Sequence, residues 1–161
     1  MADHGTVEIV GLEAAHRADC LAVVKSLPEW FSYPGALDDI GASLDRDRGF
    51  VAVSDGAAKA FITLSPLFDE TVEIKYLAVH ALARRGGLGR SLVKAACGFA
   101  DRMGAHNLSL LTLGPSGDSP FYDETVRFYV ALGFARAKEL HISEWGGAPA
   151  LVLCAPTAAI A

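Results

Sequence analysis

Seven residues, Arg84-Arg85-Gly86-Gly87-Leu88-Gly89-Arg90, join a β-branched run from Thr71 to Val79 to an amphipathic run from Leu88 to about Arg102. A chain that passes from strand through glycines directly into helix needs a sheet with helices packed on it. The glycines let the backbone come close to a ligand, and the unpaired N–H groups at a helix start point at whatever lies beyond them. Such a junction suits phosphate, and the guanidinium groups of Arg84, Arg85 and Arg90 are long enough to reach the outer phosphates of a diphosphate or a ribose 3′-phosphate. An ordinary glycine-rich turn with solvated arginines is the competing account of the same residues.

The remaining elements follow from periodicity and punctuation. Thr6 to Val10 alternates as a first strand, and Glu13 to Leu27 has helical period with Leu21, Val24 and Leu27 on one side until Pro28 stops it. Leu37, Ile40, Gly41 and Leu44 mark a second helix ending near Asp45-Arg46-Asp47-Arg48. Phe50–Ser54 and Ala58–Leu64 flank Asp55-Gly56, a pair suited to the positive φ angles of a tight hairpin turn. Leu92, Val93, Ala96 and Phe99 form the apolar face of the helix from Leu88, and Gly104 ends it. Asn107–Leu113 is the next strand, and Ser119-Pro120 starts a helix that runs to Leu132 before Gly133. Strands at Phe134–His141 and Ala150–Cys154 close the chain around Trp145-Gly146-Gly147. The expected class is α/β or α+β, a mixed sheet with helices on both faces.

At 161 residues with 52% apolar composition, one core and one domain spanning residues 1–161 are expected. The formal charge of −5 comes from scattered acidic residues and no basic stripe is visible, which argues against nucleic acid as a partner. Cys20, Cys97 and Cys154 are odd in number, widely separated and set among apolar neighbours, a pattern of buried free thiols rather than of disulfides or a metal site. The start, Met1-Ala2-Asp3-His4, lacks a basic stretch followed by a long apolar run, and no membrane-spanning run occurs. These features together favour a cytoplasmic protein that needs no metal.

Competing glycine motifs fail on inspection. Leu92 stands where the dinucleotide fingerprint needs its third glycine, and no Gly-Lys-Ser or Gly-Lys-Thr ends a phosphate loop. By contrast, Val79 followed by Arg84-x-x-Gly87-Leu88-Gly89 resembles the acetyl-CoA-binding motif of the Gcn5-related N-acetyltransferase (GNAT) family, and Phe128-Tyr129 with Leu132-Gly133-Phe134 resembles its later signature. Ala81 replaces a usual proline, Arg85 a usual glycine, and Tyr122 a frequent asparagine. The resemblance implies a mostly antiparallel central sheet of about six to seven strands with about four helices. It also implies acetyl-CoA as cosubstrate, bound by the backbone of Leu77, Ala78 and Val79 and by Arg84 to Arg90. Proteins resembling this one commonly form homodimers.

Acetyl transfer from a thioester requires the attacking amine to lose its proton. Glu73, four residues ahead of Leu77, occupies a place similar to the family's general-base glutamate; pairing with Lys75 on the same face of the strand is the structural alternative. A backbone N–H near Leu77 or Ala78 would meet the oxyanion. The resemblance makes Tyr129 the acid that assists the departing thiolate, against plain core packing of Tyr122, Phe128 and Tyr129. Trp30, Phe31 and Tyr33, with Glu29 nearby, fall where the resemblance places a segment over the acceptor, an amine carried by a small molecule or peptide; core packing is again the alternative. Trp145 and Pro115–Asp118 are further candidates for that cleft, with His141 a reserve base. A non-catalytic acyl-CoA-binding module with the same fold is the rival function.

Overall fold

The structure is a computed structural model, and it describes residues 5–161; the reading of Met1-Ala2-Asp3-His4 lies outside the described residues. Among the described residues seven strands and four α-helices follow one another as β1 (Glu8–Gly11), α1 (Arg17–Lys25), α2 (Ala36–Arg46), β2 (Arg48–Ser54), β3 (Ala57–Phe68), β4 (Thr71–Val79), α3 (Leu88–Arg102), β5 (Asn107–Leu113), α4 (Pro120–Leu132), β6 (Ala135–His141) and β7 (Pro149–Pro156). The strands form one open sheet in the order β1-β2-β3-β4-β5-β7-β6. Pairing is antiparallel at β1–β2, β2–β3, β5–β7 and β6–β7, and parallel at β4–β5. No helix among the described residues is long and apolar enough to cross a membrane.

Contacts divide the chain into two compact units, residues 1–65 with 75–96, and residues 66–74 with 97–161. In the first unit, Cys20, Val23, Val24 and Leu27 of α1 and its exit join Ile40, Leu44, Val51, Ala58, Phe61 and Ala78 in one buried cluster. Val24 and Leu27 of the expected face of α1 are buried, and Cys20 and Val23 are enclosed beside them, while Leu21 is only partly so. The helix also starts later than periodicity suggests, because Ala14–His16 forms a separate short turn. Asp55 and Gly56 have φ of 53° and 77°, so the hairpin turn carries the two positive angles its sequence invites. Ser43 and Thr63 are buried polar residues that satisfy each other, Oγ to Oγ1 at 2.9 Å.

In the second unit, β5 is the spine, pairing with β4 from Thr71↔Asn107 to Ile74↔Leu110 and with β7 along its full length. Its Leu108 and Leu110 are buried, as are Leu151 and Leu153 of β7 and Val126, Tyr129 and Leu132 of α4. Each aliphatic side chain enclosed in this way contributes roughly 1.5–3 kcal/mol. Strand β6 is exposed along its length, as a two-sided edge would be. The boundaries of β4, α3, β5 and α4 match those expected from sequence, whereas β3 runs four residues past Leu64 to Phe68. Of the three thiols, Cys20 is buried but Cys97 and Cys154 are only partly so, which corrects the uniform burial expected for them.

Candidate functional site

The first unit carries the strand–glycine–helix junction. From Val79 the chain enters a short turn over Ala81–Ala83, where the His80 side chain accepts from the Leu82 N–H at 3.1 Å. The Ala81 N–H donates to Ser26 Oγ at 3.0 Å, and that hydroxyl in turn donates to the Val23 carbonyl at 2.6 Å. Arg84, Arg85, Gly86, Gly87 and Arg90 are exposed, with Leu88 and Gly89 partly so. Gly87 has φ +80° and nothing stands within 4 Å of where a Cβ would be, so the backbone faces open space. Arg85, at φ 68°, adopts the left-handed region without being glycine. Helix α3 begins at Leu88, and the Ser91 N–H donates one turn back to the Gly87 carbonyl at 3.0 Å. The N–H groups of the first turn before it have no acceptor within the helix.

The guanidinium of Arg84 lies over the ring of Trp30, 4.6 Å from its centroid. Trp30 and Phe31 pack against the buried cluster of α1 and α2, while Tyr33 is 40% exposed. Of the three aromatic residues singled out from sequence, the structure therefore leaves Tyr33 most open and sets Trp30 against an arginine of the junction. The sequence held no signal for that contact, since the two residues lie far apart along the chain.

Along β4, Val72, Ile74 and Ala78 are buried, and the alternate residues Thr71, Glu73, Leu77 and Val79 are partly exposed. The ladder to β5 ends at Ile74↔Leu110 although β4 continues to Val79. Main-chain groups of Leu77, Ala78 and Val79 on that edge lie outside the ladder.

In the second unit, Glu73 sits opposite Ser109 in the β4–β5 register and is partly buried. Tyr129 is 5% exposed, its ring edge-on to Phe128 at 5.0 Å and to Phe134 at 5.3 Å between centroids. Burial raises its phenol well above the ordinary tyrosine value, so the group is protonated at neutral pH. Tyr122 is partly buried, and burial raises its phenol too. His141 is exposed on the edge strand, with Nδ1 and the Gly147 carbonyl 2.9 Å apart. Ser116, in the loop after β5, donates to Glu139 Oε1 through its hydroxyl at 2.8 Å, and Trp145 is 40% exposed. A shallow groove lined by Leu67, Phe68, Val72 and Met103 contains none of the residues singled out.

A family model described as the acetyltransferase (GNAT) family matches residues 15–134. Among solved structures, a GNAT-family protein from Desulfovibrio desulfuricans superposes with TM-score 0.81 at 19% identity, covering 94% of this chain and 99% of the other. The ribosomal-protein-S18-alanine N-acetyltransferase from Escherichia coli gives 0.74 at 18% identity, covering 94% of each chain. An aminoglycoside 6′-N-acetyltransferase complexed with coenzyme A gives 0.72 at 15%, covering 93% and 97%. No curated protein matches the sequence.

Proposed function

The chain belongs to the GNAT acetyltransferase family, and on that premise we propose that it moves an acetyl group from acetyl-CoA to a primary amine by direct attack. The observation that carries this reading is the open backbone at Gly87, where a positive φ and an exposed arginine-rich stretch precede the start of α3. These residues fit a diphosphate: main-chain amides from Gly87 to Gly89 would seat it, and Arg84, Arg85 and Arg90 would neutralise it. Main-chain groups of Leu77, Ala78 and Val79 would hold the pantetheine arm, which the end of the β4–β5 ladder at Ile74 supports. A structural neighbour complexed with coenzyme A supports the same donor.

Four roles remain for the chain's own groups. Glu73 takes a proton from the ammonium form of the acceptor, directly or through a water, so that a neutral amine attacks. An N–H near Leu77 or Ala78 stabilises the oxyanion of the tetrahedral intermediate. Tyr129 gives a hydrogen bond or proton to the departing thiolate, its O–H being present at neutral pH. Tyr33 and the neighbouring Trp30 and Phe31 contribute the wall for the acceptor. Neighbours named for an S18 alanine and for an aminoglycoside 6′ position support an amine acceptor without choosing its class.

The test is release of free CoA thiol from acetyl-CoA across a panel of small amines, aminoglycosides, and peptides with free N-termini. Release with at least one amine, lowered by Glu73→Gln and by Tyr129→Phe, is expected. Binding of acetyl-CoA without release from any amine would instead favour a non-catalytic acyl-CoA-binding module.

A further inference from the structure

Nothing in the roles above uses the contact between Trp30 and Arg84, although it joins the α1–α2 connection to the junction that opens α3. Trp30 packs its side chain against the buried cluster, and its backbone N–H donates to the Leu27 carbonyl at 3.2 Å, which fixes the chain just after α1. Arg84 is exposed on a segment that no regular element contains. Its guanidinium lies 4.6 Å from the indole centroid, the range of a cation–π contact. A second tie joins the same two segments, since Ser26 Oγ accepts from the Ala81 N–H at 3.0 Å. The end of α1 thus grips the approach to the glycines at Ala81 and again at Arg84.

We infer that Trp30 is a positioning residue for Arg84: the indole holds the guanidinium in place so that the diphosphate of acetyl-CoA meets a pre-set cation. The inference rests on the donor reading given above. A guanidinium uses its face for stacking and its in-plane N–H groups for oxygen acceptors, so the stack itself engages none of the groups that bind phosphate. An arginine side chain has much rotamer freedom to lose on binding, and a stack already formed in the free protein removes part of that loss from the binding step. Trp30 therefore contributes to the donor side as well as to the acceptor wall, and a bound acceptor that shifts the indole alters the grip on the donor.

The experiment is calorimetric titration of wild type, Trp30→Leu, Trp30→Phe, Arg84→Gln and the double variant Trp30→Leu/Arg84→Gln. Each is titrated with acetyl-CoA and with S-acetylpantetheine, which lacks the diphosphate. Trp30→Leu is expected to weaken acetyl-CoA roughly three- to fivefold, with Trp30→Phe weaker in effect. Neither variant should change affinity for S-acetylpantetheine, and Trp30→Leu should add nothing once Arg84 is glutamine. Equal losses for both donors, or a Trp30 effect that persists in the Arg84→Gln background, would overturn the inference. If Trp30→Leu does not fold, the Trp30→Phe/Arg84→Gln cycle decides by the same criteria. A wild type that binds neither donor sinks the donor reading itself, whereas unaltered acetyl-CoA binding by Trp30→Leu sinks this inference alone.

Discussion

The carbonyl of Gly87 accepts from both the backbone N–H and the hydroxyl of Ser91, at 3.0 and 3.1 Å, which fixes the first turn of α3 around a residue at φ +80°. Any L side chain at position 87 must adopt a conformation that costs about 1–2 kcal/mol, although no neighbouring atom blocks it. Gly87→Val should therefore lower stability by about that amount, read by urea unfolding. It should also weaken acetyl-CoA binding by roughly tenfold or more, because its methyl groups project into the space the diphosphate needs. Full retention of binding would remove Gly87 from the site.

Glu73 faces the partly exposed side of β4 opposite Ser109, with the apolar residues Val72 and Ile74 turned to the other side. Its removal should harm chemistry and not folding. Glu73→Gln is expected to lower kcat by roughly 10²- to 10⁴-fold with the acetyl-CoA dissociation constant unchanged. Steady-state kinetics with titration of the donor checks this, and a variant with wild-type kcat would return Glu73 to the role of a strand residue paired with Lys75.

Tyr129 is packed on its ring by Phe128 and Phe134, so Tyr129→Phe keeps the aromatic contacts and should change stability by no more than about 1 kcal/mol. The rate should nevertheless fall, by roughly 10²-fold, if the hydroxyl assists the thiolate. The wild-type rate should show no loss near pH 10, where a free phenol titrates, because burial holds this one protonated to higher pH. The ratio of the two rates at neutral pH, read beside the two unfolding curves, separates catalysis from packing, and a wild-type loss near pH 10 would mean the phenol is not sealed.

Much of this was legible because period and punctuation agreed. The ends of α3, β5 and α4 could be read from Gly104, Gly114 and Gly133, and the bounds of β4 from its β-branched run, each a local signal. The extension of β3 to Phe68 was not, because it includes Pro66 and ends in exposed Leu67 and Phe68, residues that look like a loop in isolation. On α1 the spacing found Val24 and Leu27 but overrated Leu21 and missed Cys20 and Val23, which share a cluster with Ile40, Val51 and Phe61 that sequence spacing does not reveal. The same limit hid the Trp30–Arg84 stack. Motif spacing located the junction, but its openness depends on a tertiary arrangement.

Cys20 links stability to alkaline pH. Burial, and secondarily the charge of Asp19, pushes its thiol up to about 12, whereas an unfolded thiol titrates near pH ~8.5. The folded state therefore holds a proton that the unfolded state loses, and stability falls as pH rises through that window and is level below it. The slope from this group is about 1.4 kcal/mol per pH unit. Urea unfolding at pH 8.5 and 10 should show wild type losing roughly 1.6 kcal/mol more than Cys20→Ala over that interval, since the unfolded thiol is only half titrated at the lower pH. Equal losses would mean the thiol is not sealed in the core.

Melting with and without acetyl-CoA tests the account at its root, since every role assigned above presumes that α3 opens onto a diphosphate. With ligand at about 100 times its dissociation constant, binding to the folded state alone adds about 2.7 kcal/mol. For a chain of this size that raises Tm by roughly 5–10 °C. The account predicts such a rise in wild type and a clearly smaller one in Gly87→Val at the same ligand concentration. A wild-type Tm that does not move at millimolar acetyl-CoA would contradict it.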